Sequence, residues 1–145
     1  SHFALVRTRQ PAYSDAMAHP KMFSDDDPYL ARVRALAASF PESAEKVSHG
    51  RPAFYTRKVF AYYGGARKGR DGWVEHGQSL VVMPDPEHRP ALLEDERVYI
   101  PAYLGPSGWL GVDLDHDTDW DEVAELLDAS YRLTAPKRAI GQLDA

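Results

Sequence analysis

Hydrophobic residues recur at helical spacing in two parts of the chain. The first stretch, 30–40, follows three aspartates and is ended by Pro41. In the second, Asp119 and Glu122 have the spacing of a capping box, and an apolar stripe continues through 123–133. Carboxylates before a helix accept hydrogen bonds from its unpaired backbone N–H groups, and proline cannot continue a helix. The pattern therefore predicts one helix in each part, with one apolar face each.

Between these helices the hydrophobic period shortens to that of β-strands. Prolines at 86 and 90 restrict the intervening helix to a short piece near 91–94. Five segments are rich in β-forming residues, form a short apolar run, or alternate between aliphatic and aromatic or polar positions: 54–55, 59–63, 80–83, 98–104 and 110–114. The order of elements predicts an α+β fold, a two-layer structure in which helices pack on one face of a mostly antiparallel sheet.

The segment between the second and third predicted strands is glycine-rich and basic. Residues 64–77 contain five glycines together with Arg67, Lys68 and Arg70. Glycine allows backbone conformations that other residues resist, so a run of glycines favours a loop over a regular element. We expect a long, flexible hairpin tip here, which we call the basic wing.

Composition predicts one domain in a reducing compartment. Residues 1–24 are polar, lack periodicity and contain two prolines, so they are predicted to form an N-terminal arm, and 25–145 a single domain. The absence of cysteine excludes disulfides, a thiolate nucleophile and cysteine-based zinc sites. No apolar run approaches the roughly 20 residues of a membrane helix, and no signal peptide is recognisable. These features predict a cytoplasmic protein without a membrane partner.

Charge is unevenly distributed along the chain. The net charge of −5 disfavours a general nucleic-acid binder, since such domains are usually basic. However, 51–70 carries six Lys or Arg residues and no acidic one, whereas 111–128 carries eight acidic residues and no basic one. If these segments lie apart in space, the molecule has two poles. The alternative is two solvated faces that keep the protein soluble.

Five stretches resemble the MmcQ/YjbR family in order and spacing, and together they span residues 42–138: KVSHGRPAF, KVFA, LVVMPDPEH, RVYIPAYLGPSGWLGVDL and DWDEVAELLDASYRLTAPKR. The resemblance implies a fold similar to that of CyaY and frataxin, with two helices against one face of a sheet. The family is commonly labelled DNA-binding by analogy to a double-wing arrangement, and no enzymatic activity comes with the name. Fold analogy is a weak warrant for function. The acidic net charge of this chain also departs from what a DNA-binding label implies.

The leading functional hypothesis is a non-enzymatic binding module with DNA as the candidate partner. Cations neutralise phosphates, and bases stack on aromatic rings that face away from the helices. The alternative is that the N-terminal arm or a partner subunit covers these rings, or that they pack against one another. The candidate nucleic-acid-binding residues are Arg51, Arg57, Lys58, Arg67, Lys68, Arg70, Tyr99, Tyr103 and Trp109.

A second hypothesis is a frataxin-like protein whose acidic surface binds a divalent metal or a basic partner. The candidate ligands are Asp115, Asp117, Asp119 and Asp121, which alternate with other residues. An EF-hand loop needs glycine at its sixth position and glutamate at its twelfth, and neither requirement is met. The alternative is a charged strand end followed by a helix cap.

A third hypothesis is a small-molecule pocket near His49 and Trp109. Histidine titrates near neutral pH, so His49 is a candidate acid or base, although a histidine before Gly50 more often hydrogen-bonds within a turn. The nucleophile elbow, the metalloprotease His pair, the phosphate loop and the dinucleotide glycine pattern are all missing from the sequence. The sequence therefore assigns no catalytic residue and no cofactor.

Overall fold

A computed structural model describes residues 20–145, in which ten helices and strands follow one another. In chain order they are α1 Pro28–Ala38, β1 Ala44–Ser48, β2 Arg51–Tyr55, β3 Val59–Gly69, β4 Gly72–Val82, α2 Arg89–Leu93, β5 Val98–Tyr99, β6 Leu110–Asp113, α3 Trp120–Thr134 and α4 Lys137–Asp144. A single 3-10 turn, Gly105–Ser107, precedes β6. Most of the predicted N-terminal arm, 1–19, lies outside the described residues. At its described end, Met22 N donates to Gly50 O at 2.8 Å.

The strands form one antiparallel sheet in the order β1-β2-β3-β4-β6-β5. Helices α1, α3 and α4 contribute buried residues to a core shared with one face of this sheet. The predicted α+β fold is confirmed, and the buried stretch at 80–82 belongs to an interior strand of the sheet. The core comprises Leu30, Val33, Ala37, Phe40, Phe54, Phe60, Ala61, Tyr63, Leu80, Val82, Leu114, Val123, Leu127, Tyr131 and Ala139. No helix within 20–145 has the length and apolar character needed to cross a bilayer.

Both predicted helix caps are present. Asp27 Oδ1 accepts hydrogen bonds from the backbone N–H groups of Tyr29 and Leu30 at the start of α1. Asp119 Oδ1 accepts from Asp121 and Glu122 at the start of α3. These bonds satisfy N–H groups that lack partners within the helix.

A bulge in β3 places an extra aromatic residue in the core. Val59 pairs with Tyr55 and Ala61 pairs with Phe54, so Phe60 has no residue opposite it. Two successive side chains thereby reach the helix-covered face, because Phe60 and Ala61 both belong to the core. The Phe60 ring packs edge-on against Tyr131 of α3, with 5.3 Å between centroids.

Residues 64–77 belong to a hairpin, as predicted, but the expectation of a long irregular loop at its tip is wrong. Strands β3 and β4 continue through it as a ladder, with Lys68 opposite Trp73, and only two residues separate them. The glycines serve particular positions within this hairpin. Gly72 has φ +124° beside the turn, and Gly64 has φ +86° where the register shifts between Tyr63 and Gly65. Pairing along the ladder therefore outweighs the loop tendency of glycine.

The predicted strand at 98–104 is also wrong beyond Tyr99. Pro101 has no N–H group to donate to a ladder, and the chain turns away, with Tyr103 at φ +68°. Ala102 N instead donates to Ala66 O at 2.8 Å, which ties this segment to the far half of the β3–β4 hairpin. Strand β1 and helix α4 were not predicted.

Candidate ligand-binding cleft

The sheet face turned away from α1, α3 and α4 carries the candidate site. Cross-strand pairing aligns one row of side chains on this face, and none of its members belongs to the core that the helices cover. The row, from β2 to β5, is Ala53, Tyr62, Val81, Gly111 and Tyr99. Two members of the row, Tyr62 and Val81, line a cleft above the sheet.

A cleft of about 770 Å³ lies over this face. It is bounded by the far half of the β3–β4 hairpin, which carries Trp73, and by the segment after β5, which carries Tyr103. The centroids of these two rings lie 6.0 Å apart. Tyr62 lines the cleft and is supported from behind by Trp109, with 5.5 Å between ring centroids. Burial raises the pKa of the Tyr62 hydroxyl, so this ring presents a neutral phenol. The other lining residues include Met22, His49, Arg51, Gly64, Glu75, Val81, Ala102 and Leu104.

One ion pair lies in the cleft. Arg51 Nη2 donates to Glu75 Oε2 at 2.6 Å. The two side chains differ in environment, since that of Arg51 is 13% exposed and that of Glu75 is 56% exposed. A cation with little access to water therefore faces a carboxylate that water reaches freely.

A second polar cluster lies beside the cleft, next to a shallower cavity of about 650 Å³. His76 Nδ1 lies 2.7 Å from Asp113 Oδ1, and Arg67 Nε donates to His76 Nε2 at 3.2 Å. The two ring nitrogens of His76 thus contact a guanidinium on one side and a carboxylate on the other. The imidazole stacks on the ring of Tyr99, with centroids 3.8 Å apart.

A hydrogen bond within the sheet holds the Tyr99 hydroxyl in place. It shares a hydrogen bond of 2.7 Å with Ser79 Oγ, which also donates to His76 O. Burial raises the pKa of Tyr99 to about 12, so the phenol stays neutral at physiological pH. The hydroxyl of Ser79 is thus bonded to a phenol and a carbonyl and not to the imidazole. The cluster positions Tyr99 and contains no serine activated by a histidine.

The predicted basic residues do not form one surface. Arg57 and Lys58 lie in the turn before β3, whereas Lys68 lies near the opposite end of that strand, on the order of 30 Å away at the rise of an extended chain. Arg51 is paired with Glu75, and Arg67 is hydrogen-bonded to His76. Within the described residues, Lys68 and Arg70 are therefore the cations left at the hairpin tip.

The predicted aromatic residues have three different environments. Tyr99 lies on the expected face but is only 6% exposed, so its ring cannot stack on a base. Tyr103 is 85% exposed, and Trp109 is half-buried against Tyr62. Sequence reasoning missed Tyr62 and Trp73. Tyr62 lies between the buried residues Ala61 and Tyr63, in a segment that the sequence had predicted to be a strand.

The predicted acidic ligands are separated into a turn and a cap. The side chains of Asp115, His116 and Asp117 have ligand atoms within 4.8 Å of one another, and all three are exposed. Asp115 Oδ1 accepts from Asp117 N at 2.8 Å, and Asp119 caps α3. Backbone contacts thus account for two of the four aspartates. His49 lies in the β1–β2 turn at φ +52°, with Nδ1 3.2 Å from Ser48 Oγ, and its side chain lines the cleft.

Comparison with known proteins identifies one family and one fold. The YjbR family model matches residues 38–133. The crystal structure of Deinococcus radiodurans protein DR2400, with the family domain DUF419, is similar at a TM-score of 0.55 and 21% identity, covering 79% of this chain and 87% of that one. No curated protein matches this chain. At this identity the structural likeness shows the fold alone.

Proposed function

This chain belongs to the YjbR family, and we propose that it is a binding module whose cleft, on the helix-free face of the sheet, takes a small planar ligand. The observation that carries this proposal is the convergence of aromatic side chains from separate elements. Tyr62 comes from β3, Trp73 from β4 and Tyr103 from the segment after β5, and all three line one cleft. Apolar and aromatic lining with few polar groups is the usual character of small-molecule sites.

Exposure of the rings supports the same conclusion. Trp73 is 55% and Tyr103 is 85% exposed, although large aromatic side chains are normally buried when packing is their role. The two rings contact each other and together form one edge of the cleft. A planar ligand would cover both rings and shield their apolar surface from water.

Calorimetric titration with 2-naphthalenemethanol, a neutral planar probe, tests the proposal. We expect saturable binding, a weaker signal with the non-planar cyclohexanemethanol, and loss of binding in Trp73→Ala. Leu133→Ala, which removes an exposed apolar side chain on α3, is the control and should bind as the unmodified protein does. Equal heats for the two alcohols, or unchanged binding in Trp73→Ala, contradict the proposal.

A second candidate, single-stranded nucleic acid, is favoured by one observation at the hairpin tip. Lys68 lies directly across the ladder from Trp73, whose ring contacts Tyr103, and Arg70 follows in the turn. A cation beside exposed rings is the arrangement on which successive bases stack.

Titration of labelled single-stranded and duplex DNA at low and moderate salt tests this candidate. Two phosphate contacts predict a slope of about −1.4 in log affinity against log salt for single strands. The double variant Lys68→Ala/Arg70→Ala should lower affinity, whereas Arg57→Ala/Lys58→Ala removes the same charge at the other end of β3 and should not. No binding at low salt, or equal losses in both variants, removes the candidate.

A further inference from the structure

We infer that the ligand of the cleft carries an anionic group, a carboxylate or a phosphate, which binds the guanidinium of Arg51 in place of Glu75. This inference rests on the proposed function of the cleft and names the chemical class of its ligand. The class is a planar aromatic acid or an aryl phosphate.

The position of Arg51 places its charge in the cleft. Arg51 lies two residues before Ala53 in β2, so both side chains are on the same sheet face, and Ala53 pairs with Tyr62. The guanidinium packs against Gly64, where an added Cβ would come within 2.7 Å of Arg51 Nη1. The absence of a side chain at Gly64 therefore leaves the space in which the cation is held.

The pairing of Arg51 is incomplete. A guanidinium has five N–H donors in one plane and favours two parallel bonds to a carboxylate or phosphate. Among residues 20–145, only Glu75 accepts a bond from this side chain, through one oxygen to Nη2. Within the described part of the chain, the remaining donors of this cation, which is 13% exposed, have no other acceptor and are therefore available to a ligand.

Glu75 can be displaced from Arg51 at little cost. Its side chain is 56% exposed, so the carboxylate regains hydration when it turns toward solvent. An ion pair with one exposed partner contributes little to stability, and its loss is easily offset by a bidentate bond from a ligand. Glu75 is thus an internal counter-ion that balances Arg51 until an anion enters.

The side chains that line the cleft indicate which chemical groups the ligand combines. Arg51 and Glu75 lie in the same cleft as Tyr62, Trp73 and Tyr103. One molecule can therefore stack its planar group on the rings and bind its anionic group to the cation at the same time. A neutral planar compound uses only the first of these contacts.

Matched probes test the inference by calorimetry on the full chain: 2-naphthoate, 2-naphthyl phosphate and the neutral 2-naphthalenemethanol. A bond to a charged group predicts that the anions bind about ten- to hundredfold more tightly than the alcohol. Arg51→Gln should remove this preference while the alcohol still binds, which also shows that the variant is folded. Glu75→Gln should tighten naphthoate binding by up to about fivefold, because the competing carboxylate is gone.

The two anions distinguish the sources of the negative group, since whichever binds more tightly identifies carboxylate or phosphate recognition. Equal affinity of naphthoate, naphthyl phosphate and alcohol overturns the assignment to Arg51 and leaves the cleft proposal intact. A preference for anions that survives in Arg51→Gln overturns it as well. Binding of none of the three probes overturns the cleft proposal together with this inference.

Discussion

The ring of Tyr99 lies over Gly111, its cross-strand neighbour in the sheet, so closely that a Cβ at position 111 would stand 2.2 Å from Tyr99 Cζ. No side chain can occupy that space while the ring is there. The same ring stacks with the imidazole of His76, with 3.8 Å between centroids. Gly111 therefore determines where the Tyr99 ring, which lines the shallower cavity, can lie.

The first prediction is that Gly111→Ala destabilises the fold. The methyl group must displace a buried ring, and such overpacking costs about 1–3 kcal/mol. Gly77→Ala is the matched control, because a Cβ there meets nothing within 4 Å. Urea denaturation followed by circular dichroism should show a lower midpoint for the first variant alone. Coincident curves for the two variants would show that Tyr99 can move without cost.

The second prediction concerns alkaline stability. The pKa of Tyr99 is about 12, raised mainly by burial and in smaller part by Asp113 and Glu75, and lowered in part by the Ser79 hydrogen bond and by Arg51. The unfolded chain ionises near its ordinary value of 10.0, so the stability that this group contributes is complete below pH 10 and declines until pH reaches about 12. The total is on the order of 2–3 kcal/mol.

Tyr99→Phe has no hydroxyl to ionise and should not show this decline. The difference in unfolding free energy between the variant and the unmodified protein should therefore shrink as pH rises from 10 to about 12. Chemical denaturation at a series of alkaline pH values measures the difference. Tyr103→Phe, at a position that is 85% exposed, serves as control and should follow the unmodified protein throughout. A constant difference for Tyr99→Phe would mean that its phenol is not shielded from ionisation.

The third prediction separates capping from metal binding in the acidic segment. Asp119→Ala removes two hydrogen bonds to the first turn of α3 and should cost about 0.5–2 kcal/mol. Asp117→Ala, whose side chain is 84% exposed, should change stability by less than about 0.5 kcal/mol. Thermal unfolding with and without manganese measures both. A rise in Tm with the ion that depends on Asp117 would favour a metal site.

The fourth prediction distinguishes two neighbouring cations in the hairpin. Arg67→Ala removes the hydrogen bond to His76 Nε2 and should cost about 0.5–1.5 kcal/mol. Lys68→Ala removes a charge of the same sign one position later, on the opposite face of the ladder, and should be nearly neutral. Denaturation midpoints give the comparison, and nitrogen chemical shifts of His76 report its tautomer. Equal midpoints would mean that the Arg67 bond contributes nothing in solution.

Features that depend on neighbouring residues could be predicted from the sequence. The caps at Asp27 and Asp119 act within one turn, and the apolar stripe of α3 repeats with the helical period. The family resemblance is confirmed by the match over 38–133. By contrast, alternation at 98–104 fits a strand, but Pro101 cannot donate to a ladder and Ala102 N bonds the distant Ala66 O, which turns this segment over the sheet.

The candidate site was predictable only in part for the same reason. His49, Arg51, Tyr103 and the basic hairpin were recognised by residue type, but the sequence does not show that Glu75 reaches Arg51 from 24 positions away. His76 and Asp113 are separated by 37 positions and meet only because β4 pairs with β6. A contact of that kind follows from the topology of the sheet and leaves no local pattern.

The position of β6 between β4 and β5 also bears on how the protein is made. Four strands are joined by successive hairpins, but β5 pairs with β6 and not with the strand that precedes it. During synthesis, β5 therefore leaves the ribosome before the strand that will hold it. The ring of Tyr99, which lines the shallower cavity, stays without its glycine partner until that later strand has emerged and paired. Domains acquire their structure as units while the chain grows, and here the outer edge of the sheet has to wait for β6 before β5 can pair.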